Sequence, residues 1–224
     1  MNFLQICQRA REKCAITGAG PSTVTGQTGT LLRLIDWVNE AWLEIQGAHD
    51  DWDFLWLRGT FDTQETSPGV YARDYDLGSN VQRVNPLSVT CYDSDGETEE
   101  WRLVEIPYAR YRNQTDIGVN TAQRPTQFVI MPNDVMRLYP RPDGVYTLQF
   151  DYYKMPSAMS ENTDEPELAE EHLQWAIIYG AMRRYALYEN AQEVLIEAEA
   201  GYRQVMNLVR RKHLPAIAMG APLA

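Results

Sequence analysis

The sequence predicts an α+β fold: a helical bundle made of N-terminal helices and a long C-terminal helix pair, with an antiparallel β domain inserted into it. Three observations predict this. Residues 30–48 place apolar side chains on one stripe at helical spacing. Residues 126–153 alternate apolar and polar side chains between turn signals. Residues 165–212 return to helical spacing in two long runs. The implied organisation is a discontinuous helical domain (1–53 and 158–213), an inserted β-rich domain (54–157) and a C-terminal docking tail (214–224).

Asn2 to Ile16 reads as a first helix with Phe3, Leu4, Cys7, Ala10 and Cys14 inward, and Thr17 to Gly29 as a loop broken by Pro21. The next helix, Thr30 to Ala48, turns Leu31, Leu34, Ile35, Val38, Ala41, Trp42 and Ile45 to one side, with Thr28 or Thr30 as cap and Gly47 at its end. Trp52 to Trp56 leads into a strand ending near Phe61, and Ser67-Pro68-Gly69 is a turn before a short strand over Val70–Tyr75. Val81 to Tyr92 is strand-rich but interrupted by Pro86. Asp93-Ser94-Asp95-Gly96 is a hairpin signal before a strand near Glu100 to Val104. Ile106 to Asn113 is a helical turn, and Thr115 to Arg124 a loop.

A three-stranded meander follows, over Thr126–Met131, Val135–Tyr139 and Val145–Tyr153, with Tyr146, Leu148, Phe150 and Tyr152 alternating on one face of the last strand. Thr163 or Asp164 then caps a helix running from Pro166 to Asn190. Glu165, Glu167, Glu170 and Glu171 complement the positive end of its dipole. That helix is apolar on more than one face, which marks a buried central helix. The last helix, Ala191 to Lys212, has a single stripe of Val194, Leu195, Ala198, Tyr202, Val205, Met206 and Val209. Arg210-Arg211-Lys212-His213 reads as a basic hinge, and Leu214 to Ala224 as an apolar tail of small residues that suits docking into a partner and is flexible in the free chain. The contact residues expected there are Arg210, Arg211, Lys212, His213, Leu214, Pro215, Ile217, Met219 and Leu223.

The 224 residues are enough for one large or two small domains, and no run of about 18 apolar residues exists to cross a membrane. Three cysteines argue against a disulfide framework. Cys7 and Cys14 share a helix face but stand roughly 10 Å apart along the axis, too far to bridge, so free buried thiols and folding in a reducing cytoplasm are expected. The formal charge is −11, but residues 1–30 carry +2 and residues 200–224 carry +4, which leaves −17 on residues 31–199. A body this acidic repels phosphate and disfavours wrapping around nucleic acid.

The sequence offers no catalytic constellation, metal site or cofactor motif. His49, His172 and His213 are scattered, with no paired Glu-x-x-His to build a di-metal site. The glycines at 18, 20, 26 and 29 lack the Lys-Ser/Thr of a phosphate loop. The acids Asp93, Asp95, Glu97, Glu99 and Glu100 miss EF-hand spacing and fit a charged hairpin tip. Asn113-Gln114-Thr115 matches a glycosylation pattern by chance.

Three blocks together resemble a known family. They are Val38-Asn39-Glu40-Ala41-Trp42-Leu43-Glu44-Ile45-Gln46 with Trp52-Asp53-Phe54-Leu55; Phe150-Asp151-Tyr152-Tyr153-Lys154-Met155-Pro156 with Asp164-Glu165-Pro166-Glu167-Leu168; and His172-Leu173-Gln174-Trp175-Ala176-Ile177-Ile178-Tyr179 with Ala181 and Tyr185-Ala186-Leu187-Tyr188-Glu189. In order and spacing they resemble the head-to-tail adaptor (connector) proteins of tailed bacteriophages, the ring below the portal. The resemblance implies a structural virion protein rather than an enzyme, made in the bacterial host cytoplasm. It also implies a homo-oligomeric ring, usually a dodecamer, that joins portal protein to tail or nozzle protein around a channel for DNA. In that family the C-terminal segment reaches toward the portal, which matches the docking character of Arg210 to Ala224. Part of the acidic middle then lines the lumen, where it lets a polyanion slide. Two other readings differ in class. One is a small DNA-binding or regulatory protein using the basic 203–213 segment, with salt-dependent affinity for duplex. The other is a carboxylate-based hydrolase using the acids of 93–100 or 164–171.

Overall fold

A computed structural model describes residues 1–93, 100–114 and 121–215. In chain order it contains α1 (Phe3–Lys13), α2 (Gly29–Gly47), a 3-10 turn (Asp53–Leu55), β1 (Trp56–Asp62), β2 (Glu65–Ser67), β3 (Val70–Tyr71), β4 (Asp74–Asp76), β5 (Val81–Val84), β6 (Thr90–Asp93), β7 (Glu100–Arg102), β8 (Val104–Glu105), α3 (Tyr108–Gln114), β9 (Gln127–Ile130), β10 (Val135–Tyr139), β11 (Tyr146–Lys154), α4 (Glu171–Glu189) and α5 (Gln192–His213). The fold class is α+β, with the long C-terminal helix pair that the periodicity predicts. Contacts divide the chain into two compact units, Met1–Leu55 with Pro156–Ala224, and Trp56–Met155.

In the helical unit, α1 starts with a capping box: the Asn2 side chain accepts from the Gln5 N–H, and the Gln5 side chain accepts from the Asn2 N–H, both at 2.9 Å. Its inward face is Phe3, Ile6, Cys7 and Ala10, with Leu4 only half-buried. On α2, Leu34, Ile35, Val38, Ala41, Trp42 and Ile45 are buried as their spacing predicts. Thr28 stands at its N-cap position, but its side chain makes no capping hydrogen bond.

Helix α4 is the centre of the unit and buries Leu173, Ala176, Ile177, Ile178, Ala181, Met182 and Ala186. It begins at Glu171, not at Pro166, because the preceding residues are occupied otherwise. The Asp164 carboxylate accepts from the N–H groups of Glu161 and Ser160 at 2.9 and 2.7 Å, which holds its pKa below the usual carboxylate range. The Asp164 carbonyl accepts from Phe3 N–H at 2.7 Å, and the Leu168 carbonyl from Gln174 Nε2 at 2.8 Å. An extended segment tied on both sides cannot also wind into the first helical turn.

Two glycines allow the neighbouring helices to press against α4. A Cβ on Gly180 would lie 2.7 Å from the Cβ of Ala41 on α2, and one on Gly201 of α5 would lie 2.7 Å from the Tyr179 ring. Two amides on α2 hold the returning chain. Asn39 exchanges hydrogen bonds with the Met159 backbone, both at 3.0 Å, and Gln46 with the Ser157 backbone at 3.0 and 3.1 Å.

In the β unit, the larger sheet runs β1-β11-β6-β7, with β5 also paired to β11, and the second runs β4-β10-β9-β8. Strand β11 has the expected alternation, burying Tyr146, Leu148 and Phe150. The expected three-stranded meander is not formed. Strands β9 and β10 pair, but β11 belongs to the other sheet. One edge of β11 is taken by β1 over seven residue pairs and the other by β6 and β5, so none remains for β10. The strand expected over Val70–Tyr75 is likewise split, β3 pairing with β2 and β4 with β10. The turn expected at Ser94 to Gly96 lies outside the described residues.

Replacing Gly180 with Ala tests the seam. The substitution gains about 1 kcal/mol of helix propensity, yet a net loss of ~1–3 kcal/mol is expected, because two methyl carbons cannot share a 2.7 Å gap. Gly201→Ala meets the rim of the half-buried Tyr179 ring, which can turn aside, and loses less. Urea unfolding of both variants reads the ranking; an inverted order would contradict it.

Candidate docking surface at the end of the last helix

The inward stripe of α5 includes Ala198, Tyr202, Met206 and Val209. His213, four residues beyond Val209, continues that stripe and is buried, at 7% exposure. The basic run is therefore not a hinge. Arg210, Arg211, Lys212 and His213 form the last helical turn, where cations complement the negative end of the dipole. Leu214 follows in extended conformation, its N–H still donating to the Arg210 carbonyl at 3.1 Å. Its side chain is half-buried against the bundle core, and Pro215 is exposed.

Three elements converge on His213. Its Nδ1 lies 2.5 Å from Asp53 Oδ1, in the 3-10 turn after α2. Its Nε2 lies 3.3 Å from Glu170 Oε2, within ion-pair reach but out of line for a hydrogen bond. Its ring meets Phe54 edge-on, with centroids 5.4 Å apart, and Phe54 stacks on Trp52 at 5.2 Å and Trp42 at 5.9 Å. Lys212 donates to the other oxygen of Glu170. Glu170 is the N-cap residue of α4, so this latch ties the end of α5 to the start of α4 and to the turn after α2. The Lys212 hydrogen bond lowers the Glu170 pKa, against a smaller opposing effect of desolvation.

Of the nine expected contact residues, Arg210, Arg211, Lys212 and Pro215 are exposed at this end, with Lys212 paired to Glu170, whereas His213 is buried inside the unit and Leu214 packs on it. Ile217, Met219 and Leu223 lie outside the described residues. Arg210 also borders a shallow hollow of about 370 Å³, shared with Arg183, Arg203 and Glu44. There Arg183 pairs with Glu44 at 3.6 Å and lies over the Tyr202 ring at 4.8 Å. The sequence does not reveal the partners of His213, because Asp53 and Glu170 stand far from it along the chain. The available signal was the histidine's place on an apolar stripe, since a buried imidazole needs polar partners.

The other groups that the sequence singles out have structural surroundings. Cys7, Cys14 and Cys91 are free and buried, and burial pushes each thiol up to about 12. Asp164 and Glu170 hold a turn and the latch, and His49 lies edge-on to Trp52 at 4.9 Å. Among the described residues, no cluster of three or more His, Cys, Asp or Glu is arranged to hold a metal ion, and no helix is long and apolar enough to cross a membrane.

Compared with known proteins, the chain matches a family model described as SU10 adaptor protein over residues 1–219. No curated protein matches it.

The latch predicts a pH signature. A carboxylate whose pKa is lowered by folding contributes stability above its unfolded pKa, and that stability is lost as pH falls through the folded value. Lys212→Met should therefore cost under ~1 kcal/mol near neutral pH, as expected for a half-exposed pair, and the cost should shrink once Glu170 is protonated. His213→Ala removes a buried imidazole from against Phe54 and its contact with Asp53, and should cost more, about 1–3 kcal/mol. Urea unfolding at pH about 7 and about 3 measures both; a Lys212→Met cost that grows toward acid pH would contradict the assignment.

Proposed function

The chain belongs to the SU10 adaptor protein family, and on that premise we propose that it is a structural virion protein forming a ring between portal and tail around the DNA channel. The observation that carries this reading is the family match, which covers residues 1–219 of 224. The ring is homo-oligomeric, a dodecamer, with portal protein on one side and tail or nozzle protein on the other. DNA passes through it without specific binding, and the net −17 of residues 31–199 suits a lumen that does not retain a polyanion.

The portal-facing contact in this proposal is the end of α5. The latch around His213 sets where that helix stops and where the chain leaves the bundle. Arg210 and Arg211 then present two exposed charges to an acidic portal surface, and the segment after Leu214, with Pro215, Ile217, Met219 and Leu223, supplies apolar contact. His213 from within, and Lys212 at the surface through Glu170, hold the helix end in place. The structure leaves the 203–213 segment fewer available cations than its sequence suggests, because two of the bases are committed to Asp53 and Glu170, so duplex binding is not favoured.

Removing residues 215–224, which spares Leu214, together with Arg210→Gln and Arg211→Gln, should leave helical content unchanged and cost only about 1 kcal/mol of favourable dipole interaction. Association with purified portal should weaken by more than about tenfold, or 1.4 kcal/mol. Co-sedimentation with portal reads this directly, and unchanged association would sink the docking assignment.

A further inference from the structure

Among the described residues, one edge of the larger sheet is open. Strand β1 ends the strand order and pairs only with β11, over seven residues from Trp56 to Asp62, without a register shift. Which of its backbone groups face outward follows from the ladder's phase. Thr63 N–H donates to the Tyr146 carbonyl at 2.8 Å, which makes Thr63 a hydrogen-bonded position facing β11. On the far side of β11, the Asp151 N–H donates to Ser88 Oγ and the Asp151 carbonyl accepts from Asn85 N–H, both at 2.8 Å. Asp151 is the register partner of Arg58. In an antiparallel pair the bonded and non-bonded positions alternate, so Arg58, Thr60 and Asp62 turn their N–H and C=O groups away from β11. These three residues are exposed.

Such an edge is a template for another strand, and proteins ordinarily blunt it with proline, charged side chains or a bulge. Strand β1 has no proline and no bulge, and its charges are one of each sign. Its two charges instead complement themselves. When two copies of β1 run antiparallel about a two-fold axis through Thr60, Thr60 faces Thr60, and Arg58 of each copy faces Asp62 of the other. All three positions are outward-facing, so every facing pair in this register is hydrogen-bonded, giving six backbone bonds. Arg58, Thr60 and Asp62 share one face of the strand, so the charges meet on the same side of the extended sheet. Within one copy, Arg58 lies 3.2 Å from Asp151, and Asp62 accepts from the Thr147 hydroxyl at 2.6 Å. Both neighbours are on that same face, so the facing charge extends an existing cross-strand row. Moving the register by two residues sets Thr60 against Arg58 or Asp62 and removes the two facing charge pairs. At the Asp62 end the ladder stops, because the Gln64 N–H and carbonyl are taken by the Tyr75 hydroxyl and Ala72 N–H.

We propose that β1 is a self-association edge: two copies of the free chain join their larger sheets through antiparallel β1–β1 pairing centred on Thr60. The contact is isologous and closed. A strand pair of this length buries less than the roughly 1,000 Å² of a stable interface, so the dimer depends on concentration and the edge can be given up to another strand during assembly. The proposal does not rest on the ring, which needs a different, head-to-tail contact.

The test is a cysteine at the axis. In full-length chain carrying Thr60→Cys, the two introduced thiols lie opposite each other with Cβ atoms about 4.5–5.5 Å apart, within reach of a short thiol-to-thiol crosslinker. The native thiols are buried and stay out of the reaction. A Leu187→Cys variant, exposed on α4, reports background. The expected result is a covalent dimer of the Thr60→Cys chain well above that background, and a wild-type mass that rises toward dimer with concentration. Asp62→Arg, which sets like charges against Arg58 of the facing copy, should weaken dimerisation at least about tenfold, and Asp62→Glu, which keeps the facing pair, should leave it intact. A wild-type chain that stays monomeric at high concentration overturns the proposal. So does a dimer that neither crosslinks through the Thr60→Cys thiol nor responds to Asp62→Arg, which would place the contact elsewhere.

Discussion

The helical unit depends on how closely its neighbours approach α4. A helix that is apolar on more than one side has no stable place at a surface, so other helices must cover it. Ala41 of α2 reaches it because residue 180 has no side chain, and Tyr179 of α4 lies against Gly201 of α5. Close packing of α5 along α4 brings the end of α5 back to the start of α4. There the N-cap residue, Glu170, meets Lys212 and His213. The latch is thus a consequence of the packing, and it gives the exposed Arg210 and Arg211 a defined place at the end of a rigid helix.

The β unit has its own organising strand. Strand β11 is the longest in the unit and both its edges are used, by β1 on one side and by β6 and β5 on the other. That double use sends β10 to the second sheet and leaves β1, among the described residues, as the long unpaired edge. A seven-residue edge strand with neither proline nor bulge is open to strand pairing, and the self-complementary charges at 58 and 62 favour a second copy as the partner.

Features set by local periodicity were legible in the sequence. The inward faces of α2 and β11 follow from spacing, and the burial of α4 from its apolar residues on several sides. Features set by distant partners were not. Pro166 and the acids around it look like a helix start, yet Asp164 and Leu168 are tied to Phe3 and Gln174, and the helix waits until Glu171. Adjacent strands separated by a short turn look like a meander, but strand pairing is decided by which edges are free. The basic run looked like a hinge because its charge was visible and the carboxylates that bind it were not. Asn39 and Gln46, both inside a block quoted for the family resemblance, hold the chain at Met159 and Ser157, a role that periodicity does not reveal.

For an adaptor, these features have a common use: a rigid bundle presents one helix end, and a separate β unit presents a sheet edge. The most direct test of the account is the position of this chain in the assembled particle, read from electron micrographs with the subunit fitted into the density. The expected density is a ring of this chain between portal and tail, with the end of α5 and residues 210–224 against the portal. Finding the chain elsewhere in the particle, or in the ring with the end of α5 turned away from the portal, would contradict it.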